Sequence, residues 1–180
     1  NPVSTRFMEI RLVELQAKDP AAQLKKQWVS YGKISNHLKR ALIVSEDGLF
    51  IQHEGFDWDG IQKAIEKNQK KGKIVAGGST ISQQLAKNLF LTPSKTPWRK
   101  AEEAIITLML ETVWSKQRIF EVYLNVIEWG NGVFGAEAAA RHYFGISAAQ
   151  LSAEQAARLA GMVPSPRFYD RNRSAPGLAR

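Results

Sequence analysis

Two carboxylates in unusual company, Glu46 and Glu103, are the residues of this sequence best placed to do chemistry. Glu46 and Asp47 follow the apolar run Ala41 to Val44, where a helix should end. Acids there oppose the negative end of the helix dipole. A carboxylate beside apolar groups and a negative helix end holds its proton to higher pH, which suits a general base or acid. The stretch EDGLFIQHEG goes on to add Phe50, His53 and Gly55, a mix of acid, aromatic, imidazole and glycine unlike a solvated linker. Glu103 lies four residues after Arg99 and three after Lys100, so all three share one helix face. The two cations fall in a first helical turn, where the dipole favours acids. As an ordinary surface cluster the trio is worth at most about 1 kcal/mol. As a functional feature it is a cationic site for an anion, with a carboxylate held beside it.

A third constellation is GGSTISQQLAKNLF, from Gly77 to Phe90. At 100° per residue, Thr80, Gln83, Gln84, Lys87 and Asn88 form one arc, and Ile81, Leu85 and Leu89 the opposite one. Amides and a hydroxyl, in place of the Glu and Lys of a solvated face, suggest an arc turned toward a hydroxyl-rich ligand. Gly77, Gly78 and the free amides of the first turn could cradle phosphate, although a glycine pair is equally a hinge. Lys63 to Lys73 holds five lysines against Glu66, a solvated face or a contact for lipid headgroups or polyphosphate. His37, His53 and His142 lack the spacing of a metal site, so no metal ligand is assigned, and His53 is expected to orient its neighbours. Glu128 and Glu137, flanking WGNGVFG, are read as structural or as supports for residues that touch the ligand.

The elements that must position these residues are helices. Spacings of three and four recur and apolar-polar alternation is scarce, which predicts a mainly α fold. Helices are expected at Thr5–Lys18, Ser35–Val44, Asp57–Lys71, Ser79–Phe90, Pro97–Trp114, Lys116–Ile127, Phe134–Tyr143 and Ser152–Met162. Asp57, Ser79, Thr96, Ser115 and Ser152 supply N-caps, and Gly72, Gly130 and Gly145 supply stops. Ala101, Ile105, Leu108 and Thr112 form one core stripe, and Ile119, Val122, Tyr123 and Val126 the other. The segment after Pro164 reads as irregular.

The 180 residues suffice for one domain, and 25 Lys and Arg against 17 Asp and Glu give a charge of +8. Such a surface prefers anionic partners: nucleic acid, lipid headgroups or a phosphorylated substrate. Without cysteine there is neither a disulfide nor a thiolate site. The apolar run Ala104 to Leu110 is far short of the roughly 20 residues of a membrane span, so any spanning anchor is expected outside this chain.

Together EDGLFIQHEG (46–55), GGSTISQQLAKN (77–88), RKAEE (99–103), KQRIFEVYLN (116–125) and GVFGAEAAA (132–140) resemble, in order and spacing, the five motifs of the family-51 peptidoglycan glycosyltransferases. The match spans roughly 38–169, and NVIEWGNGVFGAEAAARHYFG is most similar to the monofunctional biosynthetic members. Position 102 is Glu where relatives vary, and the fifth motif lacks the arginine-glycine opening of bifunctional relatives. The resemblance implies a lysozyme-like helical fold with a substrate cleft, on the periplasmic face of the bacterial inner membrane, with residues 1–33 membrane-proximal. It implies polymerisation of lipid II, a disaccharide-pentapeptide on undecaprenyl pyrophosphate, into β-1,4-linked glycan, with cell-wall synthesis or division proteins as the class of partner. Glu46 is then the catalytic base and Glu103 the second catalytic carboxylate. Lys87, Arg99 and Lys100 would hold the donor pyrophosphate, where a divalent cation, magnesium or manganese, is the one cofactor considered, and Lys95 would add a further cation. Asp47, Phe50, His53, Ser79, Thr80, Gln83, Gln84 and Asn88 would line the cleft.

Other readings fit less well. A lysozyme-like hydrolase needs no cluster such as Lys87, Arg99 and Lys100, because it cleaves a neutral link. Ser30 and Lys33 make an S-x-x-K with no S-D-N or K-T-G after it, which weakens a transpeptidase. A nucleic-acid binder leaves the acids at 46, 47 and 103 unexplained, and no nucleic acid is expected as a partner.

Overall fold

The computed structural model describes residues 1–73, 77–94 and 96–178. Among them are α1 (Arg6–Gln16), β1 (Lys25–Lys26), α2 (Asn36–Glu46), α3 (Trp58–Lys71), α4 (Ile81–Phe90), α5 (Pro97–Val113) and α6 (Lys116–Val126). There follow β2 (Glu128–Gly130), β3 (Val133–Phe134), α7 (Ala136–Phe144), α8 (Ala153–Met162) and α9 (Pro166–Arg171). The mainly α expectation holds.

Helix starts follow side-chain chemistry. Asp57, Thr96, Ser115 and Ser152 each accept a first-turn backbone N–H, which satisfies a donor the helix itself leaves free. The cap of α4 is Thr80 rather than Ser79, because Thr80 and Gln83 bond reciprocally in a capping box. Gly72 and Gly145 close α3 and α7 in the left-handed conformation. Gly130 stops no helix and lies in β2.

At the centre is α4, packed against α5 on one side and α6 on the other, while α2 packs on α8. Leu38 and Leu42 of α2, Ile81 and Leu85 of α4, and Ile119, Val122 and Tyr123 of α6 are fully buried in one continuous cluster. The stripe expected on α6 is therefore core.

Three expectations change. A small sheet of order β1-β3-β2 forms, with β1 parallel and β2 antiparallel to β3. Strands of two or three residues are too short for alternation to reveal. The segment after Pro164 contains α9, started by Pro166 and held by Asp170, which accepts from the Asn131 backbone N–H at 3.0 Å and pairs with His142. The stripe on α5 faces outward: Ile105 is 61% exposed and Leu108 53%, joined by Trp98 at 76%, Met109 at 62% and Val113 at 70%. The buried side of α5 carries Glu103, Thr107 and Leu110 instead. Periodicity locates an apolar stripe but not what covers it, and here the inward face is partly polar because it backs onto the site.

Candidate active site

Glu46 is the last residue of α2 and Asp47 its C-cap, so a helix end delivers both acids to one place. Gln84 of α4 donates from Nε2 to Glu46 Oε2 at 2.9 Å, and the Tyr123 hydroxyl of α6 donates to Gln84 Oε1 at 3.0 Å. Burial raises the Glu46 carboxyl above the ordinary glutamate range; the Gln84 bond and Lys87 pull it down, and Asp47 pushes it up. The direction is the one read from the sequence, with burial as the leading cause. Glu46 lines a cleft of about 140 Å³ with Gly77, Gly78, Ser79 and Thr80.

Asp47 turns inward. Its side chain, 1% exposed, accepts from the Ile81 backbone N–H at 2.9 Å and from His53 Nε2 at 2.8 Å. His53 Nδ1 in turn accepts from the Gly55 backbone N–H at 3.1 Å, so the imidazole carries its proton on Nε2. Thr80 Oγ1 donates to the Gly55 carbonyl at 2.6 Å. Gly55 has φ +91°, and a Cβ there would stand 2.8 Å from Thr107 of α5. Phe50 is 2% exposed and packs on Phe120, with ring centroids 5.6 Å apart. Asp47, Phe50 and His53, expected to line the cleft, fasten the loop after Glu46 to the start of α4 and to the core, His53 orienting its neighbours as expected and Asp47 also lining the cleft. The acid at the N-terminus of α4 also complements that helix dipole.

The second carboxylate is also buried. Arg99 donates to Glu103 Oε2 at 2.7 Å, and Lys100 pairs with Oε1 while approaching Ser79 Oγ at 3.5 Å. Arg99 Nε is buried with no partner among the described residues. Lys87 sits in the same field: burial lowers its pKa first, Arg99 and Lys100 lower it further, and Glu103 and Glu46 raise it. An anion arriving beside these three cations would relieve their mutual repulsion. Lys87, Asn88 and Gln84 line a groove of about 270 Å³ with Arg11 and Arg167, walled by α1. Arg11 is fixed there by Glu128, which accepts from its Nε at 2.7 Å.

The polar arc of α4 is largely internal wiring. Thr80 and Gln83 cap their own helix, and Asn88 donates to the Gln84 carbonyl at 2.8 Å. Gln84 and Lys87 remain partly open and Ser79 is exposed. Lys95 lies outside the described residues. Sequence reading also missed several contributors. Tyr123 looked like core alone, yet its hydroxyl reaches the Glu46 network. Ser82 and Lys116 both bond Glu111, Lys116 at 2.7 Å, tying α4, α5 and the start of α6 together behind the site. The signal was present in KQRIFEVYLN, where polar residues sit inside an otherwise apolar stripe.

Among the described residues, no three His, Asp or Glu side chains gather as a ligand set, and both Glu103 oxygens are taken by cations.

A buried carboxylate in a helical cleft, with a group of cations beside it, is an arrangement suited to glycosyl transfer from a phosphorylated donor. The family model described as Transglycosylase matches residues 13–180, and the chain belongs to that family. A biosynthetic peptidoglycan transglycosylase of Dechloromonas aromatica is 77% identical over 180 residues, covering 100% of this chain and 78% of that protein. Proteins of the same description from Chromobacterium violaceum and Methylobacillus flagellatus are 69% and 68% identical, each over all of this chain and 79% of the relative. The resemblance carried by the five motifs is thereby borne out, and with it the lysozyme-like helical class.

Proposed function

We propose that the chain polymerises lipid II into glycan strands by β-1,4 transfer, with Glu46 as base and Lys87, Arg99 and Lys100 receiving the leaving pyrophosphate. The observation that supports this reading is a shared site: Gln84, bonded to Glu46 at 2.9 Å, lines one groove with Lys87, which lies in the field of Arg99, Lys100 and Glu103. A sugar hydroxyl is too weak an acid to attack unaided. Glu46 takes its proton as the oxygen bonds the anomeric carbon of the donor. The bond from that carbon to pyrophosphate breaks on the opposite face, and its electron pair leaves with the phosphate. One displacement converts an α-linked donor into a β-linked product. Glu103 holds Arg99 and Lys100 in place for the developing charge and takes no proton from substrate. Incubation with lipid II in detergent should give glycan polymer and release undecaprenyl pyrophosphate. Shortening of finished glycan, with no polymer from lipid II, would instead identify a hydrolase.

The outward face of α5 suits a membrane surface. Trp98, Ile105, Leu108, Met109 and Val113 form an exposed apolar stripe, and an interfacial helix buries such a face some 5–10 Å into the headgroup boundary. No helix among the described residues is long and apolar enough to cross a membrane. Lying on the bilayer would bring the cleft to a lipid-linked substrate, on the periplasmic side where glycan is built. Replacing Ile105, Leu108 and Met109 together by Glu is expected to weaken binding to anionic vesicles at least about tenfold, since each apolar side chain buried contributes roughly 1.5–3 kcal/mol. Sedimentation with vesicles measures this, and unchanged binding would place the membrane contact elsewhere.

A further inference from the structure

We propose that Tyr123 is a positioning residue for the base: its hydroxyl fixes the orientation of the Gln84 amide so that the NH₂ end faces Glu46. This rests on Glu46 being the base. A glutamine amide is nearly symmetric in shape but opposite in chemistry at its two ends, so its neighbours decide which way it points. An ionised Glu46 can only accept, and turning the amide over would set Gln84 Oε1 against carboxylate oxygen. The phenol holds the same orientation from the other end by giving Oε1 a donor at 3.0 Å, while Nε2 donates to Glu46 at 2.9 Å.

Tyr123 can hold this role at every working pH. It is 0% exposed, and burial together with the nearby negative charges of Glu46 and Asp47 keeps its phenol well above the ordinary range, so the proton stays on it. Its ring is fixed independently of the hydroxyl by stacking on Phe120, with centroids 6.2 Å apart. The other charges acting on Glu46 are Asp47 beside it and Lys87 on α4, with Arg99, Lys100 and Glu103 of α5 acting on Lys87 in turn. From α6 the contact with Gln84 is the neutral phenol. Gln84 is thus the link through which α6 reaches the base, and the amide orientation sets how firmly Glu46 holds its proton.

Tyr123→Phe keeps the ring and removes the donor. With Oε1 unpartnered the amide is anchored at one end only, its hydrogen bond to ionised Glu46 weakens, and the protonated form of Glu46 gains. The acid limb of kcat/KM for lipid II should move up by about half to one pH unit, so the rate measured on that limb should fall roughly threefold to tenfold. Gln84→Ala should move the limb at least as far on its own, which tests the link without touching α6. In the Gln84→Ala background Tyr123→Phe should add nothing. A merely structural role would lower the melting temperature and leave the limb in place. The inference is overturned if Tyr123→Phe has the limb of the wild type, if Gln84→Ala leaves the limb unmoved, or if the two shifts add. A wild-type profile with no acid limb would overturn the assignment of Glu46 as well, whereas a limb that only Tyr123→Phe leaves fixed overturns this inference alone.

Discussion

Glu46→Gln is expected to polymerise lipid II at least about a hundredfold more slowly than the wild type, because a positioned general base contributes roughly 10²–10⁴-fold and glutamine cannot take a proton. The loss should fall on kcat, since donor binding rests on Lys87, Arg99 and Lys100. The variant should fold. Burial raises the Glu46 carboxyl in the folded state, so its contribution to stability is fully present below the unfolded pKa and is lost as pH rises through the folded one. At neutral pH the ionised group opposes folding, and glutamine removes that term. Thermal melts should therefore show Glu46→Gln as stable as the wild type or slightly more so near neutrality, with the difference fading in acid. Inactivity combined with a lower melting temperature would point to a damaged fold.

Glu103→Ala should harm both stability and activity. Glu103 is buried, with each oxygen on a different cation. Lys100 is half exposed and regains water when its partner goes, but Arg99 is 13% exposed and already has its Nε unpartnered. Removing one member of a buried ion pair costs about 3–5 kcal/mol. In a chain of this size that lowers the melting temperature by roughly 6–20 °C. With the guanidinium free to swing, stabilisation of the leaving pyrophosphate should weaken by about 10²–10³-fold in kcat. Glu103→Gln keeps the shape and one acceptor, so it should recover much of the stability while remaining impaired in turnover. Denaturation and single-turnover rates on the same preparations separate the two effects. A Glu103→Gln variant with wild-type kcat would remove Glu103 from the leaving-group side.

Much of this site was legible in the sequence because it breaks local rules. Acids at a helix C-terminus and cations in a first turn conflict with the dipole, and both conflicts mark residues that the structure brings into one field. The caps at Asp57, Thr96, Ser115 and Ser152 were legible for the opposite reason: they obey those rules within three residues of chain. Direction was the harder property. Thr80, Gln83 and Asn88 form a polar arc with partners in their own helix and in the Gly55 loop, while Thr80 also lines the cleft and Asn88 the groove, and helical spacing does not tell how much of a polar face is turned to protein. The stripe Ala101, Ile105, Leu108 and Thr112 failed in the mirror sense, apolar yet outward. Tyr123 fills a core position by its ring and a site position by its hydroxyl, and a pattern that scores residues as apolar or polar assigns it one role only. The segment holding α9 depends on Asp170 meeting Asn131 and His142, contacts remote in sequence.

The central claim, that Glu46 acts as an ionised base, is tested most directly by the pH dependence of kcat/KM for lipid II, which reports groups of the free enzyme. The wild type should lose activity toward acid with a midpoint above the ordinary glutamate value of 4.5, in keeping with a buried carboxylate. A rate that stays level as pH falls from neutrality through the glutamate range would contradict it.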